Sequence, residues 1–145
     1  MFDEMKIRKA KEEDLKEISK LFRVESSKKP YFQKWTEKEA LKKIKKIFEI
    51  GSIYICVLDR DILGFISIVS EGKKDAYIDE FYVDSNFQNQ GIGGKLLKFA
   101  EENCIEKGVK KITVMTNRKA KAFKFYRKFR YNPNYKDIFM TKILK

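Results

Sequence analysis

The sequence predicts an α+β fold built on one mixed, mostly antiparallel sheet, and two observations indicate it. First, three β-rich runs, at residues 52–58, 62–69 and 76–83, follow one another through short turns, which is typical of consecutive antiparallel strands. Second, an amphipathic helix starts at Ile92 and a further β-rich run follows it at residues 111–116. Because strands connected through a helix are most simply parallel, we expect strands four and five to be parallel neighbours.

The other elements bring the expected layout to about seven strands and about four flanking helices. A short first strand is expected at residues 5–9, and two closing strands at residues 131–144, on either side of Pro133-Asn134. The spacing of apolar residues predicts helices at residues 12–23, 36–50, 92–107 and 120–129. No linker, repeat or low-complexity segment interrupts this order. We therefore predict a single domain over residues 1–145.

The composition excludes several classes of site. The chain has no histidine, which removes histidine-based triads and most zinc sites, and we expect no metal. Cys56 and Cys104 are interpreted as two core thiols in a reducing compartment. No apolar run is long enough to span a membrane, and Met1-Phe2-Asp3-Glu4 does not resemble a signal peptide. A cytoplasmic protein with no membrane partner is therefore expected.

The net charge of +12, from 33 Lys and Arg against 21 Asp and Glu, favours anionic partners. Nucleic acid is one candidate, but the lysines are scattered along the predicted helices and no recognised nucleic-acid motif accompanies them. A nucleic-acid-binding protein is therefore kept as a minor alternative.

Residues 79–95 carry the strongest functional signal, because a predicted strand leads through a short turn into glycines at the start of a helix. Gly91, Gly93 and Gly94 lack Cβ atoms, so a ligand can approach the backbone, and the free N–H groups of a helix start suit phosphate. Leu96 stands where a dinucleotide fingerprint needs glycine and where a P-loop needs serine or threonine. The remaining pattern is Gln88-x-x-Gly91-x-Gly93.

With this pattern the chain resembles the GNAT superfamily of N-acetyltransferases, whose acyl-CoA signature is Gln/Arg-x-x-Gly-x-Gly/Ala after the fourth strand. Residues 6–15 are similar to the family's opening strand and helix, residues 122–131 to its late helix with a tyrosine, and residues 139–144 to its closing strand. The resemblance implies that strands four and five splay apart to seat the pantetheine arm of acetyl-CoA. It also implies direct acetyl transfer, in a ternary complex, to a primary amine of a small molecule or peptide.

Acetyl-CoA, or coenzyme A, is the implied cofactor. By the resemblance, backbone groups near Tyr82 and Val83 contact the oxyanion and the loop amides hold the pyrophosphate. The full set of expected cofactor contacts is Phe81, Tyr82, Val83, Gln88, Asn89, Gln90, Gly91, Ile92, Gly93, Gly94, Lys95, Asn117 and Phe125. Within it, Lys95 is alternatively a solvated helix lysine. Two residues depart from the family pattern: Lys119 replaces an asparagine, which leaves Asn117 as the candidate, and Arg130 replaces a glycine.

Glu80 is the preferred general base, because a carboxylate within an apolar strand is costly without a partner or a task. Asp79 is the next choice, as a base or as a group that binds the acceptor amine. Adjacent side chains of a strand point to opposite faces, so one of the two is expected to face solvent or pair with a lysine. A base that acts through water, or no base, also stays open.

Tyr126 matches the family tyrosine that can protonate the leaving thiolate; packing in a helical stripe with Phe125 and Phe129 is the alternative. Tyr31 and Phe32 fall in an irregular link that borders the acceptor site in the family, and they either line that site or cover the core. The leading rival to an enzyme is a CoA-binding regulatory module without turnover. Homodimers are common in the family, so a homodimer also stays open.

Overall fold

The computed structural model describes residues 4–144. Residues 1–3 and Lys145 lie outside the described part. The prediction that Met1-Phe2-Asp3-Glu4 is not a signal peptide falls mostly on these residues. The contacts divide the chain into two compact units, one that ends at Met115 and one that begins at Thr116. The single domain over residues 1–145 stays a prediction. None of the helices between residues 4 and 144 is long and apolar enough to cross a membrane.

The first unit holds five strands and three α-helices. In chain order they are β1 (Lys6–Lys9), α1 (Leu15–Ser26), α2 (Glu37–Ile50), β2 (Gly51–Leu58), β3 (Asp61–Glu71), β4 (Asp75–Val83), α3 (Ile92–Glu106) and β5 (Lys111–Val114). Single 3-10 turns precede α1 and follow β4, at Glu12–Asp14 and Ser85–Phe87. The helix α2 begins with the capping box that Thr36 and Glu39 predict: Thr36 Oγ1 accepts from the Glu39 amide at 3.1 Å, and Glu39 accepts from the Thr36 amide at 3.0 Å.

The five strands form one sheet in the order β1-β2-β3-β4-β5. All neighbours are antiparallel except β4 and β5, which are parallel as predicted. The pairing of β4 with β5 covers only the first four residues of β4 and ends at Ile78 opposite Val114. The second half of β4 therefore runs beyond the end of β5. The expected splay of these strands at that point stays a prediction.

Helices cover both faces of the sheet. On one face α1 and α2 pack on β2 and β3 through a cluster that includes Ile18, Phe22 and Ile44 from the helices and Ile55 and Phe65 from the strands. Successive side chains of a strand alternate between faces, and Tyr54 accordingly points away from that cluster. Its ring lies 5.4 Å from the ring of Phe99 in α3, which covers the opposite face.

A β-bulge interrupts the pairing of β3 with β4. Ile66 pairs with Phe81 and Ile68 pairs with Ile78, so the two residues Asp79 and Glu80 lie opposite the single residue Ser67. Ser67 is fully buried, and its hydroxyl accepts from the Glu80 amide at 2.8 Å and donates to the Glu80 carbonyl at 3.2 Å. One side chain thus satisfies both backbone groups that the bulge removes from the ladder.

The second unit contains α4, Lys121–Lys128, and no strand among its described residues. The prediction of two closing strands within residues 131–144 is therefore wrong, and the sheet has five strands over residues 4–144 rather than about seven. The run has β-forming residues, but a strand also needs a neighbouring backbone to pair with. Ile138, Phe139 and Met140 are instead highly exposed.

Removal of the Ser67 hydroxyl should destabilise the fold, because Ser67→Ala leaves the amide and carbonyl of Glu80 without their buried partner. We expect a loss of about 1–3 kcal/mol in the free energy of unfolding, measured by denaturant titration. Ser70→Ala, at an exposed serine of the same strand, is the matched control. Equal stabilities of the two variants would contradict a structural role for the Ser67 hydroxyl.

Candidate active site

The bulge brings both acidic residues of β4 to the same cation. Lys43 Nζ lies 3.6 Å from Glu80 Oε1 and 3.9 Å from Asp79 Oδ2. Both carboxylates thus pair with a lysine, and they do not point to opposite faces as in a regular strand, because the extra residue of the bulge breaks the alternation of side chains along β4. The result is a cluster of two carboxylates and one ammonium group, partly withdrawn from solvent.

Aromatic rings lie next to this cluster. Lys43 Nζ lies 5.8 Å from the centroid of the Trp35 ring, within the range of a cation–π contact. The Tyr82 ring packs edge-on against Tyr31 at 5.5 Å and contacts Phe22 at 5.8 Å. Burial, with a smaller contribution from the charge of Glu80, raises the pKa of Tyr31. Tyr31 therefore lies close enough to Glu80 to feel its charge, and its role at the acceptor site stays a prediction.

Glu80 is the most strongly perturbed acid of the site. Burial raises its pKa from 4.5 to about 7; the charge of Lys43 opposes the rise, the charge of Asp79 adds to it, and hydrogen bonding by Lys43 and Tyr82 opposes it. The Glu80 side chain is 14% exposed, so it is withdrawn from water but accessible. A carboxylate with a pKa near 7 can take up or release a proton at neutral pH, which suits a general base.

The loop after β4 is fixed from the other side by a buried glutamate of α1. Glu25 is 6% exposed, and its carboxylate accepts from the Ser85 hydroxyl at 2.6 Å, from the Ser85 amide at 3.2 Å and from Lys28 Nζ at 2.9 Å. Lys28 Nζ also donates to the Ser85 hydroxyl at 3.0 Å. These contacts tie the start of the glycine loop to the end of α1.

The glycine loop has the geometry that its sequence predicts. The Gln88 side chain donates to the Val83 carbonyl at 3.1 Å, so it braces the loop and leaves ligand contacts there to the backbone. Asn89 and Gly91 have positive φ angles, 64° and 81°, which an asparagine and a glycine tolerate. A side chain on Gly91 would meet nothing within 4 Å, so the space in front of this residue is open.

Behind this open space α3 begins without a side-chain cap. Gly91 is its N-cap residue, and there is no acidic residue in the first turn. The side chain of Ile92 is buried, so only its backbone can contact a ligand, whereas Lys95 is exposed one turn into the helix. Uncapped N–H groups, the positive end of the helix dipole and a nearby ammonium group together fit a phosphate group.

Three predicted site residues, Asn117, Phe125 and Tyr126, belong to the second unit. Asn117 Oδ1 accepts from the Lys119 amide at 2.8 Å, which closes a turn ahead of α4. Tyr126 is 7% exposed, with the rings of Phe125 and Tyr131 at 5.3 and 5.5 Å. The packing alternative for Tyr126 therefore has structural support, and its role at sulfur stays a prediction.

Comparison with known proteins identifies the family. The model of the acetyltransferase (GNAT) family matches residues 13–131, most of the chain. The chain belongs to the GNAT acetyltransferase family. The protein YxbD of Bacillus subtilis (strain 168) is 39% identical over 74 residues, which are 50% of this chain and 45% of that relative. The match thus spans less than half the length of the curated relative.

Solved structures show the same GNAT fold. An aminoglycoside acetyltransferase, meta-AAC0020, from an uncultured soil metagenomic sample in complex with sisomicin is 24% identical, with a TM-score of 0.73 and 97% of each chain covered. AAC(6')-Iy in complex with the bisubstrate analogue CoA-S-monomethyl-acetylneamine is 15% identical, with a TM-score of 0.77, over 97% of this chain and 99% of that one. At these identities the likeness supports the fold alone.

Within this GNAT chain, sequence reasoning missed Lys43, Ser67 and Glu25. Lys43 had a signal, because its spacing from the buried Ala40 and Ile47 places a lysine on the inner face of α2. The sequence around Ser67 gives no such signal, because the bulge that Ser67 supports depends on pairing with another strand. Phe32 is 64% exposed, and its role at the acceptor site stays a prediction. No group of metal-binding side chains occurs among residues 4–144.

The raised pKa of Glu80 predicts a pH-dependent stability. Between pH 4.5 and 7 the folded chain keeps a proton on Glu80 that the unfolded chain releases, so stability falls as pH rises through this window and stays lower above it. The loss is on the order of 3 kcal/mol. Glu80→Gln removes it, so this variant should gain stability relative to the wild type between pH 4.5 and 8.5.

Denaturant unfolding at several pH values measures this difference, with Glu37→Gln, at a largely exposed glutamate, as the control for the substitution itself. A difference between Glu80→Gln and wild type that stays constant from pH 4.5 to 8.5 would show that Glu80 is not held protonated in the fold.

Proposed function

We propose that this GNAT protein transfers the acetyl group of acetyl-CoA to a primary amine of a small molecule or peptide. One observation carries the proposal. A partly buried carboxylate with a pKa of about 7, Glu80, lies on β4 only a few residues before a glycine loop and an uncapped helix start that suit phosphate. Acyl transfer from a CoA thioester to an amine uses a proton acceptor and a site for the phosphates of CoA, and this segment offers a candidate for each.

The cofactor site is proposed at the backbone of residues 88–94, with Lys95 as an additional charge. The open space in front of Gly91 and the uncapped amides of α3 support it. Bound there, acetyl-CoA would supply the reactive carbonyl carbon and a thiolate leaving group. The backbone of β4 at Phe81, Tyr82 and Val83, beyond the end of β5, is the proposed location of the oxyanion and pantetheine contacts.

The proposed chemistry is a direct attack by the acceptor nitrogen. An alkyl amine is mostly protonated at pH 7, with a neutral fraction of roughly one in a few thousand, so a base is needed to remove its proton. Glu80 takes a proton from the amine, directly or through water, as the new C–N bond forms and the C–S bond breaks. Tyr126 is the proposed donor of a proton to the departing sulfur. Asp79 and Tyr31 are proposed to bind the acceptor, with Phe32 as a further candidate.

The test of the function is consumption of acetyl-CoA with a panel of primary amines. The wild-type protein should release CoA thiol with at least one amine. Glu80→Gln should lower kcat/KM at neutral pH by about a hundredfold or more and recover as pH nears the pKa of the amine, where neutral amine is plentiful. Asp79→Asn is the matched variant on the neighbouring residue.

The outcomes separate the alternatives. A defect confined to KM in Glu80→Gln would mean that Glu80 binds a cationic acceptor and is not the base. Tight CoA binding without turnover for every amine would favour the regulatory module. A chain that binds DNA or RNA in a salt-dependent manner, and does not bind CoA, would favour the nucleic-acid alternative.

A second prediction tests the cofactor loop through a pair of variants at Gly91. Asparagine and aspartate have nearly the same shape and both tolerate the left-handed backbone of this residue, whereas only aspartate adds a negative charge. Gly91→Asp should therefore weaken CoA binding, measured by calorimetry, by about tenfold or more relative to Gly91→Asn. Equal affinities of the two folded variants would remove residues 88–94 from the phosphate site.

A further inference from the structure

Lys43 is part of the site, but the proposed chemistry gives it no role. Its ammonium group contacts both Glu80 and Asp79, at 3.6 and 3.9 Å, and lies over the face of Trp35. Its side chain is 30% exposed, whereas many other lysines, such as Lys42, Lys45 and Lys46, are exposed. A cation-binding site of two carboxylates and an aromatic face is thus already half neutralised by the protein's own amine.

We propose that Lys43 sets the charge of the acceptor site, so that the site selects an amine with a single cationic group on an aromatic or apolar body over polycationic amines. This inference rests on the proposed function, because it concerns the acceptor of that same reaction. It assigns to Lys43 the role of a specificity-determining residue.

The charge balance supports this selection. With Lys43 in contact, the two carboxylates present at most one net negative charge, which one ammonium group of an acceptor neutralises. A second cationic group on the acceptor would meet the Lys43 ammonium group instead of a free carboxylate, and like charges at this range repel in a partly buried site. The overall charge of +12 acts in the same direction at longer range.

The apolar part of the acceptor has a matching surface. The ring of Trp35 lies next to Lys43, and Tyr31 and Tyr82, whose rings pack at 5.5 Å, lie next to Glu80, so aromatic side chains adjoin the charged cluster. Tyr31 is 44% exposed and Trp35 is partly exposed. Exposed ring surface beside a charged pair favours a ligand with an aromatic or apolar group next to its amine.

The ionisable groups that face Glu80 are few enough to predict a pH effect. They are Asp79 and Tyr82 on β4, Lys43 on α2 and Tyr31 on the segment between α1 and α2. Lys43 lowers the pKa of Glu80 among these groups, whereas Asp79 raises it. Replacement of Lys43 by a neutral side chain should therefore move the acidic limb of the rate profile to higher pH.

The experiment compares wild type with Lys43→Met, Lys43→Arg and Lys46→Met. Methionine keeps the length of the side chain without its charge, arginine keeps the charge, and Lys46 is an exposed lysine on the same helix. The probes are 2-phenylethylamine with one cationic group, and spermidine and sisomicin with several. The readouts are kcat/KM with acetyl-CoA from pH 6 to 9 at low and high salt, and calorimetric binding of each amine to the protein–CoA complex.

We expect wild type to prefer 2-phenylethylamine over both polycations, and Lys43→Met to shift this ratio toward the polycations by about tenfold or more at low salt. The acidic limb of the rate profile should move to higher pH in Lys43→Met, whereas Lys43→Arg and Lys46→Met should behave like wild type. A wild type that prefers spermidine or sisomicin would overturn the inference. So would an unchanged ratio in folded Lys43→Met.

The two proposals fail in different ways. If no amine is acetylated but calorimetry shows the expected preference and its loss in Lys43→Met, the proposed function falls and the charge selection stands. If amines are acetylated and neither the rate ratio nor the binding ratio responds to Lys43→Met, the function stands and the role of Lys43 falls.

Discussion

The bulge in β4 is the constraint on which the rest of the site depends. In a regular strand Asp79 and Glu80 would point to opposite faces of the sheet, one toward α3 and one toward α2. The extra residue opposite Ser67 turns both carboxylates toward Lys43, and the Ser67 hydroxyl satisfies the two backbone groups of Glu80 that lose their ladder partners. A single buried hydroxyl thereby allows two acids to share one cation on the side of the sheet where α1 and α2 pack.

The protonation of Glu80 follows from this arrangement through two opposed effects. Withdrawal from water and the neighbouring charge of Asp79 favour the neutral acid, whereas the ammonium group of Lys43 favours the carboxylate. Full pairing with Lys43 alone would leave a weak base, and burial alone would leave an acid that stays protonated at neutral pH. Because the resulting pKa of Glu80 is near 7, the fold loses stability as pH rises toward that value. The raised pKa that suits proton transfer therefore also lowers the free energy of unfolding.

How far the sequence predicts this structure depends on the range of the interaction that decides each element. The capping box of Thr36 and Glu39 and the glycines at the start of α3 act within a few residues, so the pattern alone predicts α2 and the glycine loop. Strands β2 to β4 follow from short turns between consecutive runs. The two closing strands were predicted from β-forming residues without knowledge of a partner, and that prediction is wrong. The bulge was missed because a serine of another strand supports it.

Charge acts on this chain at two distances, and the two actions have different targets. The excess of positive charge over the whole chain attracts polyanions and repels polycations at long range. Within the site, the uncapped amides of α3 favour phosphate, whereas Asp79 and Glu80 favour an amine, and the two sites lie at opposite ends of one segment from β4 to α3. Lys43 belongs to α2, outside that segment. The proposed binding of an anionic cofactor and the proposed choice of a cationic acceptor can therefore vary independently, because substitutions on α2 would change the second without altering the loop proposed for the first.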